Sequence, residues 1–191
     1  MTATNFQSEL KKALEHLKAG NIILYPTDTV WGIGCDASNE DAVKKIYKLK
    51  RRADSKALIC LVADDRMLSR YVEKVPPAAL DIVQIADSPI TIVYDRPTNV
   101  ATNLIADDNT LAIRIPDNEF CYQLTRRLNA AIVSTSANIS GEPTPRDYQE
   151  ISEEILKGVD YIVNLPSEKK NVKPSSIIKI SNDGVVKIIR P

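Results

Sequence analysis

Ile22-Ile23-Leu24-Tyr25-Pro26-Thr27-Asp28-Thr29-Val30-Trp31-Gly32-Ile33-Gly34-Cys35-Asp36-Ala37 is the stretch that decides the fold. Its apolar head has the length of a short strand, and Pro26 stops it by removing a donor and fixing φ. Residues 26–37 then read as a polar, glycine-bearing loop. Upstream, residues 4–20 predict an amphipathic helix. Thr4 and Gln7 have capping-box spacing, Leu10, Ala13, Leu14 and Leu17 fall on one stripe, and Gly20 is a natural stop. Downstream, Ser38 is placed to cap a second helix through about residue 50, with Ala42, Val43, Ile46, Tyr47 and Leu49 on its buried side.

The alternation continues to the end of the chain. Strands are predicted at 57–62, 91–94, 111–115, 131–134 and 161–163, and helices at 64–71, 77–86, 119–128 and 148–156. A hairpin-like pair, 176–180 and 185–189, surrounds Asn182-Asp183-Gly184. Strands alternating with helices imply an α/β fold with a twisted, mainly buried sheet, and the terminal hairpin makes that sheet mixed. The longest loop-like section is 97–109, and 172–174 is the other candidate for mobility.

The 191 residues fit one domain, 1–191, and carry 25 basic against 25 acidic side chains with 43% hydrophobic content. No apolar run approaches the roughly 18 residues of a membrane span. The first residues lack a signal-peptide pattern. Cys35, Cys60 and Cys121 have no metal-ligand spacing, so the expected setting is cytoplasmic and reduced. The single histidine, His16, lies on the polar side of a helical pattern and reads as solvated, which leaves no partner for a Ser-His-Asp or Cys-His mechanism.

Four segments can carry chemistry. Gly32, Gly34 and Ala37 nominally satisfy G-x-G-x-x-A, but six residues separate Gly32 from the strand, so a dinucleotide turn is excluded. Thr27 and Thr29 beside those glycines suit a polar ligand wall as well as a strained turn over a buried Trp31. Lys44, Lys45, Lys48, Lys50, Arg51, Arg52 and Lys56 stand against Asp54 alone, a local charge of +6. Of these, Lys50-Arg51-Arg52 lies where a helix ends, a place suited to polyphosphate or a nucleic-acid backbone. Ser134-Thr135-Ser136-Ala137-Asn138-Ile139-Ser140 follows an apolar strand with hydroxyl and amide donors for an anion, or as a Ser-rich turn satisfying itself. Arg114 and Arg190 are isolated cations in apolar strands, suited either to an internal ion pair or to bidentate capture of a carboxylate or phosphate.

Together these segments resemble the YrdC-like family of threonylcarbamoyl-AMP synthases. The resemblance rests on Tyr25 through Ala37, the K-x-R element Lys50-Arg51-Arg52 with Lys56, Ala112-Ile113-Arg114-Ile115-Pro116, the S-x-N element Ser136-Ala137-Asn138, Lys173-Pro174-Ser175-Ser176 and Arg190. It implies a mixed parallel and antiparallel sheet flanked by helices around a large concave cavity. It also implies synthesis of threonylcarbamoyl-AMP and pyrophosphate from L-threonine, bicarbonate and ATP, with magnesium on the phosphates. Partner proteins would then transfer the group to tRNA. By the resemblance, Lys50, Arg52, Ser136 and Asn138 are catalytic, and Lys56, Thr110, Thr144 and Arg190 join them at the nucleotide. Thr27, Arg114, Ser134 and Ser175 or Ser176 hold threonine, and no residue is a metal ligand. Trp31, Ala53, Asp87-Ser88 and Lys179 depart from the family's usual residues. The alternative is a non-synthase relative of the same fold that binds tRNA or double-stranded RNA, which the zero net charge disfavours.

Overall fold

Gly32-Ile33-Gly34, expected within a loop, forms a strand that pairs back onto the apolar run before it. In the computed structural model, which describes residues 3–52, 58–166 and 174–191, β1 (Ile23–Tyr25) and β2 (Gly32–Gly34) are antiparallel, Tyr25 opposite Gly32 and Ile23 opposite Gly34. The remaining strands are β3 (Ile59–Leu61), β4 (Ile90–Asp95), β5 (Thr110–Arg114), β6 (Ile132–Ser136), β7 (Tyr161–Ile162), β8 (Ser176–Ile180) and β9 (Val186–Arg190). They form one mixed sheet in the order β7-β1-β2-β6-β3-β5-β4-β8-β9. Parallel pairs (β1·β7, β3·β5, β4·β8) are interleaved with antiparallel ones. The helices are α1 (Ala3–Lys18), α2 (Glu40–Leu49), α3 (Asp65–Leu68), α4 (Pro77–Ile85), α5 (Glu119–Leu128) and α6 (Glu153–Gly158).

The two faces of the sheet are covered unequally. One face, carrying Leu24, Ile33, Cys60, Val133, Ile113, Ile92 and Ile178, packs on α2 through Val43, Ile46 and Tyr47. The other face is covered by α1 and α5, where Leu10, Leu17, Phe120 and Leu124 meet Ile23, Tyr25, Leu61 and Ile132. No residue of β4, β5, β8 or β9 belongs to that second core. Among the described residues, half of this face therefore lacks an apolar cover, although burying it would be favourable. What occupies that half decides the function.

Several local expectations resolve differently. Asn39, one residue past Ser38, caps α2 by accepting from Ala42 N at 3.0 Å, because the Ser38 hydroxyl is bound to Asp36 at 2.7 Å. Thr4 lies inside α1 rather than at its cap. The 64–71 stretch contracts to α3, capped by Asp64. The 148–156 stretch breaks in two because Asp147 and Ser152 each cap a separate start: a 3₁₀ turn (Tyr148–Glu150) and then α6. The β8–β9 hairpin forms as expected, with Gly184 at φ +87° in its turn and a register shift at Ile177/Ile178. His16 is half-buried rather than solvated: its ring stacks on Tyr161 at 4.7 Å.

Gly34 is required by close approach. A Cβ there would overlap the Val133 carbonyl oxygen and come 2.8 Å from Tyr25 Cε1. Gly34→Ala is expected to lower stability by about 3 kcal/mol, the upper range for overpacking against unyielding backbone. Urea unfolding measures it; a loss within about 0.5 kcal/mol, the size of an ordinary surface substitution, would mean β2 can shift.

Candidate active site

A cavity of about 330 Å³ fills the uncovered half of the sheet, at the small end of the range for ligand pockets. Its floor is Ala112 and Arg114 of β5, Val93 of β4, Ile177 of β8 and Ile59 of β3. Gly32, Ser134, Thr135 and Ser136 form one wall, and Thr27 and Thr29 border it. Arg52, Thr144, Ser175 and Arg190 complete the lining on the other sides. Eight of the expected site residues thus converge: Thr27, Arg52, Arg114, Ser134, Ser136, Thr144, Ser175 and Arg190. The described lining has three arginines, seven hydroxyl residues and no carboxylate, thiol or imidazole.

Arg114 is 5% exposed at the end of β5 and paired with Asp28, Nη1 to Oδ1 at 2.8 Å. Its Nη2 also reaches Thr29 Oγ1 at 3.3 Å, while the second Asp28 oxygen accepts from Asp117 N. The two alternatives for this arginine therefore combine: it is ion-paired and it lines the cavity. Thr27 is fixed just as tightly. Its hydroxyl donates to Val30 O at 2.8 Å and accepts from Thr29 N at 3.1 Å, a side-chain turn that holds the loop between β1 and β2.

Arg52 reaches the cavity because of how α2 ends. Arg51 N bonds Lys48 O and Arg52 N bonds Tyr47 O, the paired bonds of a Schellman ending. The left-handed position that glycine usually takes is filled by Arg51 at φ 50°, at a cost of about 1–2 kcal/mol. Arg51 swings outward to an exposed pair with Glu154 at 2.8 Å, and Arg52 turns inward. Burial lowers the Arg52 pKa.

Lys50 stands behind the wall rather than in it. It is 1% exposed, and its Nζ donates to the carbonyls of Ser136 at 2.5 Å and Asn138 at 2.6 Å, while its own carbonyl accepts from Ser140 N. Burial first, and the nearby Arg52 charge second, lower its pKa from 10.5 to about 8. Asn138 also lies outside the lining: its amide donates to the carbonyls of Ile139 and Glu142, and its Oδ1 is buried without a partner. Thr110 sits at the far end of β5, donating to Asp108 at 2.6 Å. Ser176 begins β8 with its N–H on Pro89 O. Arg190 donates from Nε and Nη2 to Ser175 O, at 3.1 and 2.6 Å, and burial lowers its pKa. Lys56 lies outside the described residues.

A family model for Sua5, YciO and YrdC, described as Telomere recombination, matches residues 15–191. The chain belongs to the Sua5/YciO/YrdC family. The threonylcarbamoyl-AMP synthase of Idiomarina loihiensis is 36% identical over 172 residues, 88% of this chain and 91% of that protein. E. coli YciO superposes with a TM-score of 0.83 at 25% identity, over 96% of this chain and 89% of its own. P. abyssi Sua5 complexed with L-threonine superposes at 0.79 with 25% identity, over 90% of this chain. This chain spans about half of that Sua5 chain, 50%.

Within this Sua5/YciO/YrdC chain, sequence reasoning missed Asp28, whose signal was a lone carboxylate between two threonines. It also missed the apolar floor, Val93, Ala112 and Ile177, which one strand alone does not reveal. Trp31 is buried with its ring against Tyr148 at 5.3 Å, and Lys179 pairs with Asp95 and Asp108. Among the described residues no group of three or more His, Cys, Asp or Glu is placed to hold a metal ion.

The Lys50 pKa sets a pH dependence. Below about pH 8 the ammonium is charged in both folded and unfolded chains. Between there and 10.5 the folded chain sheds its proton first, so the Lys50 contribution to stability rises with pH. Wild type is expected to gain on Lys50→Met by up to about 1.4 kcal/mol per pH unit across that window. Urea unfolding from pH 7 to 10 measures the gap; a flat difference would mean that Nζ is not desolvated.

Proposed function

We propose that this protein is a threonylcarbamoyl-AMP synthase, joining L-threonine, bicarbonate and ATP with release of pyrophosphate. The observation that carries the reading is the cavity, whose described lining has three arginines and seven hydroxyl residues and no carboxylate, thiol or imidazole. Its family membership and the 36% identity to a protein of that name support it.

The chemistry asks little covalent work of a protein. The threonine amine adds to bicarbonate with loss of water, giving a carbamate. A carbamate oxygen then attacks the α-phosphorus of ATP, and pyrophosphate leaves. Every reactant carries an anionic group, so the protein's task is to neutralise charge and fix geometry, worth several kcal/mol of the barrier. In this reading Arg52 and Arg190 face the phosphates, with Ser136 and Thr144 donating to the nucleotide. Arg114 faces the threonine carboxylate, and Thr27, Ser134 and Ser175 complete that subsite. Lys50 and Asn138 act through the shape of the loop that carries Ser136. Magnesium belongs to the phosphate oxygens in this proposal, held by the nucleotide rather than by carboxylates. Nucleotidyl transfer, a cytoplasmic setting, and transfer partners acting on tRNA are parts of the same proposal. No described helix is long and apolar enough to cross a membrane.

Pyrophosphate release from ATP tests the reaction, with and without bicarbonate and L-threonine and with serine as control. Release is expected to need both bicarbonate and threonine. ATP binding without release would indicate a non-synthase relative, and salt-sensitive tRNA binding without ATP binding would support the RNA-binding alternative.

Variants then separate the subsites. Arg52→Ala is expected to lower turnover by at least 100-fold with an unchanged unfolding midpoint, the scale of losing a charged transition-state contact. Unchanged pyrophosphate release would remove Arg52 from the phosphate site. Arg114→Lys is expected to raise the threonine KM far more than the ATP KM, because a point charge replaces a planar fork. Equal effects on both would assign Arg114 to structure.

A further inference from the structure

The hydroxyl of Tyr25 has no place in the core it belongs to. Tyr25 is 0% exposed, and its Oη has no hydrogen-bond partner of acceptable geometry. A buried hydroxyl without a partner costs free energy that phenylalanine would not. The surrounding apolar cluster, with Phe120 at 6.4 Å between ring centroids, gives no reason for the oxygen.

The direction of the ring gives the reason. A Cβ at Gly34 would lie 2.8 Å from Tyr25 Cε1, and one at Gly32 would lie 3.4 Å from Cζ. The ring thus runs beneath β2 from Gly34 toward Gly32, leading with its hydroxyl. The same point at Gly32 is 3.1 Å from Ser134 Oγ and 3.3 Å from Thr27 Cγ2, and all three residues line the cavity. Oη therefore arrives directly behind the cavity wall. Burial raises the phenol's pKa well above its ordinary value, so it stays a donor, while the Ser134 hydroxyl and the Arg114 charge act on it from the cavity side.

We propose that Tyr25 is a positioning residue of the amino-acid subsite: its hydroxyl donates to Ser134 Oγ in the loaded state and thereby turns the Ser134 proton into the cavity. A serine hydroxyl has one proton to donate and rotates freely. With Tyr25 occupying a lone pair of Oγ, Ser134 presents its proton to an oxygen anion of the substrate, the carboxylate or the carbamate. Tyr25 itself touches no substrate. This inference rests on the proposed function, since it assigns the occupant of that wall as an amino acid.

The test is Tyr25→Phe in the full chain, read by L-threonine calorimetry, steady-state pyrophosphate release and urea unfolding. The threonine Kd is expected to weaken about tenfold, the scale of one lost hydrogen bond. The ATP KM should stay unchanged and the unfolding midpoint should hold or rise, because an unpaired buried group has been removed. Ser134→Ala combined with Tyr25→Phe should bind threonine no worse than Ser134→Ala alone. Equal threonine Kd values for wild type and Tyr25→Phe would overturn the proposal. So would an affinity loss accompanied by a fall in midpoint, which marks a structural role. Wild type that binds no threonine would overturn the substrate reading beneath it, and this inference with it.

Discussion

The buried Lys50 ammonium is the constraint on which the site depends. Removing such a charge from water costs several kcal/mol unless hydrogen bonds offset the loss. Here two backbone carbonyls, of Ser136 and Asn138, supply those bonds at 2.5 and 2.6 Å. The same residue's carbonyl takes Ser140 N, so one lysine fastens the end of β6 and the loop after it to the end of α2 at three points. Arg52, two residues on, and Ser136, at the fastened end of β6, both line the cavity. A guanidinium and a hydroxyl of the cavity lining are thus held in register by a charge that itself lies outside that lining.

The second constraint is the unequal cover of the sheet. An α/β sheet ordinarily buries both faces. Here α1 and α5 cover one side only as far as β3, and the strands beyond present Val93, Ala112 and Ile177 to the cavity. Small and β-branched residues there leave depth above the sheet, and Gly32 lets Ser134 and Thr27 pack close against β2 at its wall. Room for a ligand above these strands is therefore left where the helical cover stops.

The alternation of strands and helices was legible because period and punctuation are local. Pro26 after Tyr25, the stripe of Leu10 to Leu17 and the Asp183-Gly184 turn each state their structure within a few residues. The strand Gly32–Gly34 was not legible. Its glycines deny it β propensity, and its pairing rests on contacts with Tyr25 and Val133 that only the fold supplies. At the site, residue types were readable but not which way each points. Lys50 and Arg52 look alike in sequence, yet the left-handed turn at Arg51 sends one behind the wall and the other into it. A positive φ on an arginine leaves no mark in composition or spacing.

Charge is apportioned among the three arginines in a way that fits two different anions. Arg114 meets the cavity already paired with Asp28, so its net field is small while its planar donors remain fixed in direction. Such a group suits a single carboxylate, where geometry matters more than field. Arg52 and Arg190 also line the cavity, and burial disfavours the charge of each. Charges held at that cost gain most from a polyanion, because its arrival replaces lost water. A monoanion at Arg114 and a polyphosphate at the other two would each find the electrostatics that match it. The carboxylate of Asp28 would then work as a divider, keeping the phosphates from taking the amino-acid subsite.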